Sequence, residues 1–102
     1  MIVHMVLLRI RRNVQLREVE RVFAAVGDLQ RRIPGITGYS WGPNNSPTGM
    51  AHGFTHGFCM GFRDQAARDA YLPHPEHARV VQMIAGVLEG AADAVLEFDY
   101  AT

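Results

Sequence analysis

Within the seven residues Tyr71-Leu72-Pro73-His74-Pro75-Glu76-His77 the chain sets one phenol and two imidazoles. An imidazole serves as a general base at neutral pH, and a phenol can donate its hydrogen to a carbonyl oxygen that gains negative charge. Together they suit proton abstraction next to a carbonyl, with the enolate held by the phenol. Two more histidines, His4 and His56, stand in apolar alternating runs, and a fifth, His52, lies at the start of one such run beside Gly53. The elements that carry these residues decide whether they meet.

From Ile2 to Ile10 both alternate faces are mostly apolar, which predicts a strand covered on both sides, with His4 sharing parity with Val6 and Leu8. Asn13 is the expected cap of a helix to about Arg32, because Val19, Val22, Phe23, Val26, Leu29 and Ile33 recur at helical spacing. Pro34-Gly35 stops it, Ile36 to Trp41 reads as a second strand, and Gly42 to Ala51 as a surface loop or rim. A third strand is expected over His52 to Phe62, with His52, Phe54, His56, Phe58, Met60 and Phe62 on a bulky face and Gly53, Gly57, Cys59 and Gly61 on a bare one. Glycines on one face predict that another layer approaches closely there. Asp64 caps a helix to Tyr71, Pro73 and Pro75 interrupt it, a second helical run follows from about Glu76 to Glu89, and Val95 to Tyr100 forms the last strand.

This order, β-α-β-β-α-β with a split second helix, predicts an α+β, ferredoxin-like antiparallel sheet with helices on one face. The other face would leave Val3, Met5 and Leu7 in water, so a homodimer with two sheets face to face is expected. The 102 residues suit a single domain that buries roughly two thirds of its unfolded surface. Ten basic and ten acidic residues leave no net charge, which argues against nucleic acid as a partner. The lone cysteine, Cys59, has no thiol to pair with, which fits a reducing cytoplasm. The apolar start is short and carries its arginines after the apolar part, so it reads as a strand rather than a targeting segment, and no run is long enough to span a membrane.

The chain resembles the stress-responsive A/B barrel (Dabb) family of the dimeric α/β-barrel superfamily. The resemblance rests on His4, Ile33-Pro34-Gly35-Ile36, Gly53-Phe54-Thr55-His56, the Tyr71 to His77 segment and the closing Phe98-Asp99-Tyr100. It implies a pocket between sheet and helices in each subunit. In the best-understood relative, a plant polyketide cyclase that makes olivetolic acid, the positions matching Tyr71 and His77 are the catalytic pair, and those matching His4, His56 and His74 lie in or near the pocket.

On that basis His77 is the expected base and Tyr71 the oxyanion donor of an intramolecular aldol closure, with His4, His56 and His74 contacting the ligand. Strand parity points His4 and His56 toward the helices into a space lined by Val6, Phe58 and Phe23, the further expected contacts. The plainer reading makes Tyr71 a core aromatic, His74 a brace at the helix start, His4 and His56 satisfied core histidines, and His52 an exposed structural residue. His74 and His77, three apart, could share a face with His4 or His56 around a transition ion, but nothing resembles a HExxH arrangement, and neither metal nor other cofactor is expected. Two classes of function therefore stand: a cofactor-free cyclase or lyase acting on a small carbonyl or aromatic compound, and a non-catalytic stress-responsive binding or structural dimer.

Overall fold

A computed structural model describes all 102 residues. Strand β1 (Ile2–Leu8) leads to helix α1 (Leu16–Arg32), then strands β2 (Ile36–Pro43) and β3 (His56–Phe62), helices α2 (Gln65–Tyr71) and α3 (Pro75–Ala85), a short 3-10 turn and strand β4 (Val95–Ala101). The sheet is antiparallel with order β2-β3-β1-β4, so the first strand is central and the last is an edge. The ferredoxin-like architecture is the expected one.

The even residues of β1, Ile2, His4, Val6 and Leu8, are buried under the helices together with Phe58, Met60 and Phe62 of β3. Helix α1 supplies Val19, Val22, Phe23, Val26 and Leu29 to the same core. Full burial of such side chains is worth about 1.5–3 kcal/mol each, which lets this stripe hold α1 on the sheet. α3 packs beside α1, and an Arg32–Glu76 contact of 3.5 Å adds a surface tie between them.

Three boundaries differ from expectation, each for a local reason. Helix α1 starts at Leu16 behind an unassisted Gln15, because Val14 first closes a turn onto the Arg11 carbonyl, and Asn13 caps nothing. β3 starts at His56, since His52 and Gly53 both take positive φ (54° and 84°) and turn the chain; His52 and Phe54 do not extend its bulky face. α3 ends at Ala85, short of Glu89, because Val87 and Glu89 exchange backbone hydrogen bonds with Arg11 and Arg9 beyond the end of β1.

Gly35 joins α1 to β2 with φ 94°, and a methyl group there would lie 2.6 Å from the Ala67 Cβ of α2. Gly35→Ala is therefore expected to cost about 2 kcal/mol, from the left-handed backbone and the overlap together, and chemical denaturation would measure it. An unchanged midpoint would show that α2 gives way freely.

On the outer face of the sheet, the bare side of β3 is filled by its neighbours. A Cβ on Gly57 would meet Leu7 at 2.8 Å, and one on Gly61 would meet Thr37 at 2.7 Å. Toward β2 the face stays open, with nothing within 4 Å of a Cβ on Gly38 or Gly42. On the β1–β4 side it bristles instead: Met5, Leu96, Phe98 and Tyr100 are 38, 43, 61 and 47% exposed.

Candidate functional site

The interrupted helix brings Tyr71 and His77 together. Tyr71 is the last residue of α2, and the turn Leu72-Pro73-His74 leads into α3, where Pro75 fits the first helical position because its missing N–H would have no partner there. His74 is the cap: its Nδ1 accepts the Glu76 N–H at 3.1 Å. His77 Nδ1 lies 2.9 Å from the Leu72 carbonyl, which can only accept, so this nitrogen carries the hydrogen. In the neutral ring Nε2 then holds the lone pair, the form a base needs. The rings of Tyr71 and His77 are 4.3 Å apart between centroids.

Both residues line a cavity of about 130 Å³ between α3 and the β1–β4 half of the sheet. Val6, Leu8, Phe58 and Val26 form its inner wall, and Val80, Ile84 and Leu88 close it from the α3 side. His4 reaches it from β1, its ring 6.1 Å from that of Tyr71. Every buried side-chain nitrogen and oxygen has a partner, yet no protein group bonds the Tyr71 hydroxyl, so that oxygen is open to the cavity. Burial, and secondarily the charge of Glu97, push the Tyr71 phenol well above its usual range and keep it a donor.

Sequence reasoning gave no role to the residues that hold His4. Its Nδ1 lies 2.6 Å from Asp99 Oδ1, and the other oxygen of Asp99 accepts from Arg68 at 2.8 Å. Burial raises the Asp99 carboxyl, but hydrogen bonds from His4 and Arg68 outweigh it and hold the group below the usual carboxylate range. Ionised Asp99 can only accept, so His4 donates from Nδ1 and presents Nε2 elsewhere. Asp99 and Glu97 share the helix-facing parity of β4, opposite His4 and Val6 of β1. Two carboxylates on the core side of an otherwise apolar strand were the signal available in the sequence.

Because the folded pKa of Asp99 lies below its unfolded value, its contribution to stability is complete above about pH 4, the ordinary aspartate range, and is lost as pH falls through the folded value. The thermal midpoint is expected to fall less between pH 6 and pH 3 in Asp99→Asn than in the wild type. Parallel curves from calorimetry would mean that Asp99 carries no such linkage.

The remaining expected ligand contacts lie apart. His56 is half-buried near the opposite end of the sheet, pairing with Leu8, with Nδ1 2.8 Å from the Thr55 hydroxyl; burial pushes its pKa down. Phe23 stacks face to face on Trp41 at 4.4 Å and does not line the cavity. His74 is spent on the helix cap and is likewise outside the lining. His56 and His52 border a larger, open groove of about 550 Å³ beneath the loop after β2, which gathers neither Tyr71, His77 nor His4. No group of three or more His, Cys, Asp or Glu side chains is arranged to hold a metal ion. No helix is long and apolar enough to cross a membrane.

The fold has counterparts among solved structures. A dimeric ferredoxin-like protein of unknown function from Jannaschia sp. CCS1 is 29% identical, with a TM-score of 0.87 over 99% of this chain and 98% of its own. A Dabb family protein with a ferredoxin-like fold from Mesorhizobium loti is 27% identical, with a TM-score of 0.77 over 99% and 95%. A hydroxynitrile lyase from Passiflora edulis shares the fold, with a TM-score of 0.83 at 21% identity over 97% and 90%. No curated protein matches the chain in sequence. The model of the stress responsive A/B barrel domain, Dabb, matches residues 2–102, and the chain belongs to that family.

Proposed function

We propose that this protein binds a small carbonyl compound in the cavity between α3 and the sheet and moves a proton at the carbon beside the carbonyl, as a cofactor-free lyase or cyclase does. The observation that carries the reading is the pairing of an unbonded, protonated Tyr71 hydroxyl with a His77 ring whose Nδ1 is committed to the Leu72 carbonyl, both against one apolar cavity. Tyr71 holds the developing oxyanion, His77 takes the proton through Nε2, and the apolar wall keeps competing water away. His4, steadied by Asp99, contacts the ligand from below.

The cavity sets the ligand's size. At about 130 Å³ it is smaller than the roughly 300 Å³ at which drug-sized sites begin, and close to the ~150 Å³ that encloses a benzene ring. It has room for about one ring, so a side group or a longer polyketide chain would have to extend toward the mouth. The same small volume favours the second reading, in which the fold serves as a structural dimer and the cavity turns nothing over.

Either way, a second copy covers the outer face of the sheet. Exposed Leu96, Phe98 and Tyr100 on one half of that face and the bare Gly38 and Gly42 on the other make it self-complementary under a two-fold axis, bulky half against open half. Structural neighbours described as dimeric accord with this.

The test is deuterium uptake from heavy water at the methyl group of acetophenone, followed by NMR together with the histidine ring signals. Uptake above the buffer rate, with saturable shifts at His77 and His4, supports the enzyme reading. Uptake at the buffer rate with unmoved rings leaves the structural dimer.

A further inference from the structure

The cavity has one unpaired charge at its mouth. Glu97 is exposed on edge strand β4, lines the cavity beside His4 and Tyr71, and makes no hydrogen bond or ion pair. Its neighbour on the same face, Asp99, is neutralised from outside by Arg68, whose guanidinium lies 2.8 Å from the carboxylate. No arginine lines the cavity, and the chain has no lysine that could. A carboxylate ligand entering here would meet an uncompensated negative charge across an apolar wall, where Coulomb repulsion is stronger than in water. It would also lose its hydration without gaining a cationic partner.

Resting on the proposed function, we infer that the site takes uncharged aldehydes or ketones and that Glu97 is the specificity-determining residue that turns carboxylates away. Apolar walls alone would disfavour any anion, so the role of Glu97 is separable only by removing its charge while keeping its shape. Glu97→Gln does this, and an exposed, unpaired side chain tolerates the change without cost to folding.

The probes are acetophenone and benzoate, which have nearly the same shape, a methyl group in one standing where the other has an anionic oxygen. By titration calorimetry or NMR, the wild type is expected to bind acetophenone at least tenfold more tightly than benzoate. Glu97→Gln should narrow that gap to about threefold, with benzoate gaining more than acetophenone changes. Added salt should narrow it in the wild type and not in the variant. Equal binding of the two probes by the wild type, or a gap that Glu97→Gln leaves intact, overturns this inference and leaves the proposed function standing. Binding of neither probe overturns both.

Discussion

His77→Gln is expected to lower deuterium exchange at a bound ketone by about 10²–10⁴-fold while leaving the fold intact. Glutamine can still donate an N–H toward the Leu72 carbonyl that now receives His77 Nδ1, so the turn between α2 and α3 keeps its brace. What it lacks is a basic nitrogen on the cavity side. The thermal midpoint should move little, since one surface-side hydrogen bond is worth about 1 kcal/mol. Tyr71→Phe makes the complementary case: it removes only a hydroxyl that bonds no protein group, so no internal partner is stranded by its loss. If exchange survives in both variants, the pair is structural. If His77→Gln instead unfolds the protein, the brace matters more than the base. The two substitutions together separate a failed reaction from a failed fold, because Tyr71→Phe preserves the aromatic contacts with Phe62 and His77.

The second large effect concerns the face opposite the helices. Phe98→Asp should split the proposed dimer, weakening association by at least about 30-fold, because an aromatic anchor in an interface contributes about 2 kcal/mol or more and a buried unpaired carboxylate adds its own penalty. Phe98 is 61% exposed in the single chain, so the substitution removes almost nothing from the core beneath. Sedimentation of the variant against the wild type would show a shift to monomer at micromolar concentration with the thermal midpoint of the remaining fold measurable separately. A dimer of unchanged strength would place the interface elsewhere. The open groove near His56 and Leu96 borders this face, so the proposed dimer would change its walls, whereas the Tyr71 cavity lies on the other side of the sheet.

Much of this was legible in order of elements. The helical recurrence of Val19, Val22, Phe23, Val26 and Leu29, the alternation in Ile2 to Leu8, and the Pro73 and Pro75 interruption each mark a local geometry that holds whatever surrounds it. His4 with Val6 and Leu8 could be assigned to one face because parity in a strand is a property of the backbone. The same rule fails at His52 and Phe54, since the consecutive positive-φ residues His52 and Gly53 break a strand without changing the pattern of residue types. The place of His74 before Pro75 marks it as a cap, whereas helical spacing puts Phe23, and strand parity and the resemblance put His56, on the core side without saying which end of the sheet each occupies. Phe23 instead packs under Trp41, at the other end of the sheet.

The sequence by itself therefore determined the ferredoxin-like order, because it follows from local dihedral preferences and short spacing. The family and the pairing of Tyr71 with His77 came from the resemblance carried by the Tyr71 to His77 segment and its companion motifs. The tertiary structure alone decided that Asp99 and Arg68, 31 residues apart, lock the ring of His4. It also decided that Glu97 stands at the cavity mouth and that Leu96, Phe98 and Tyr100 of β4 face away from the core. Strand pairing order sets those relations: with β4 on the edge beside β1, its helix-facing positions meet His4 and the cavity, and its other face is left for a partner. A pattern of alternation says that a strand has two faces, and only the packing of helices on one of them says which is inside.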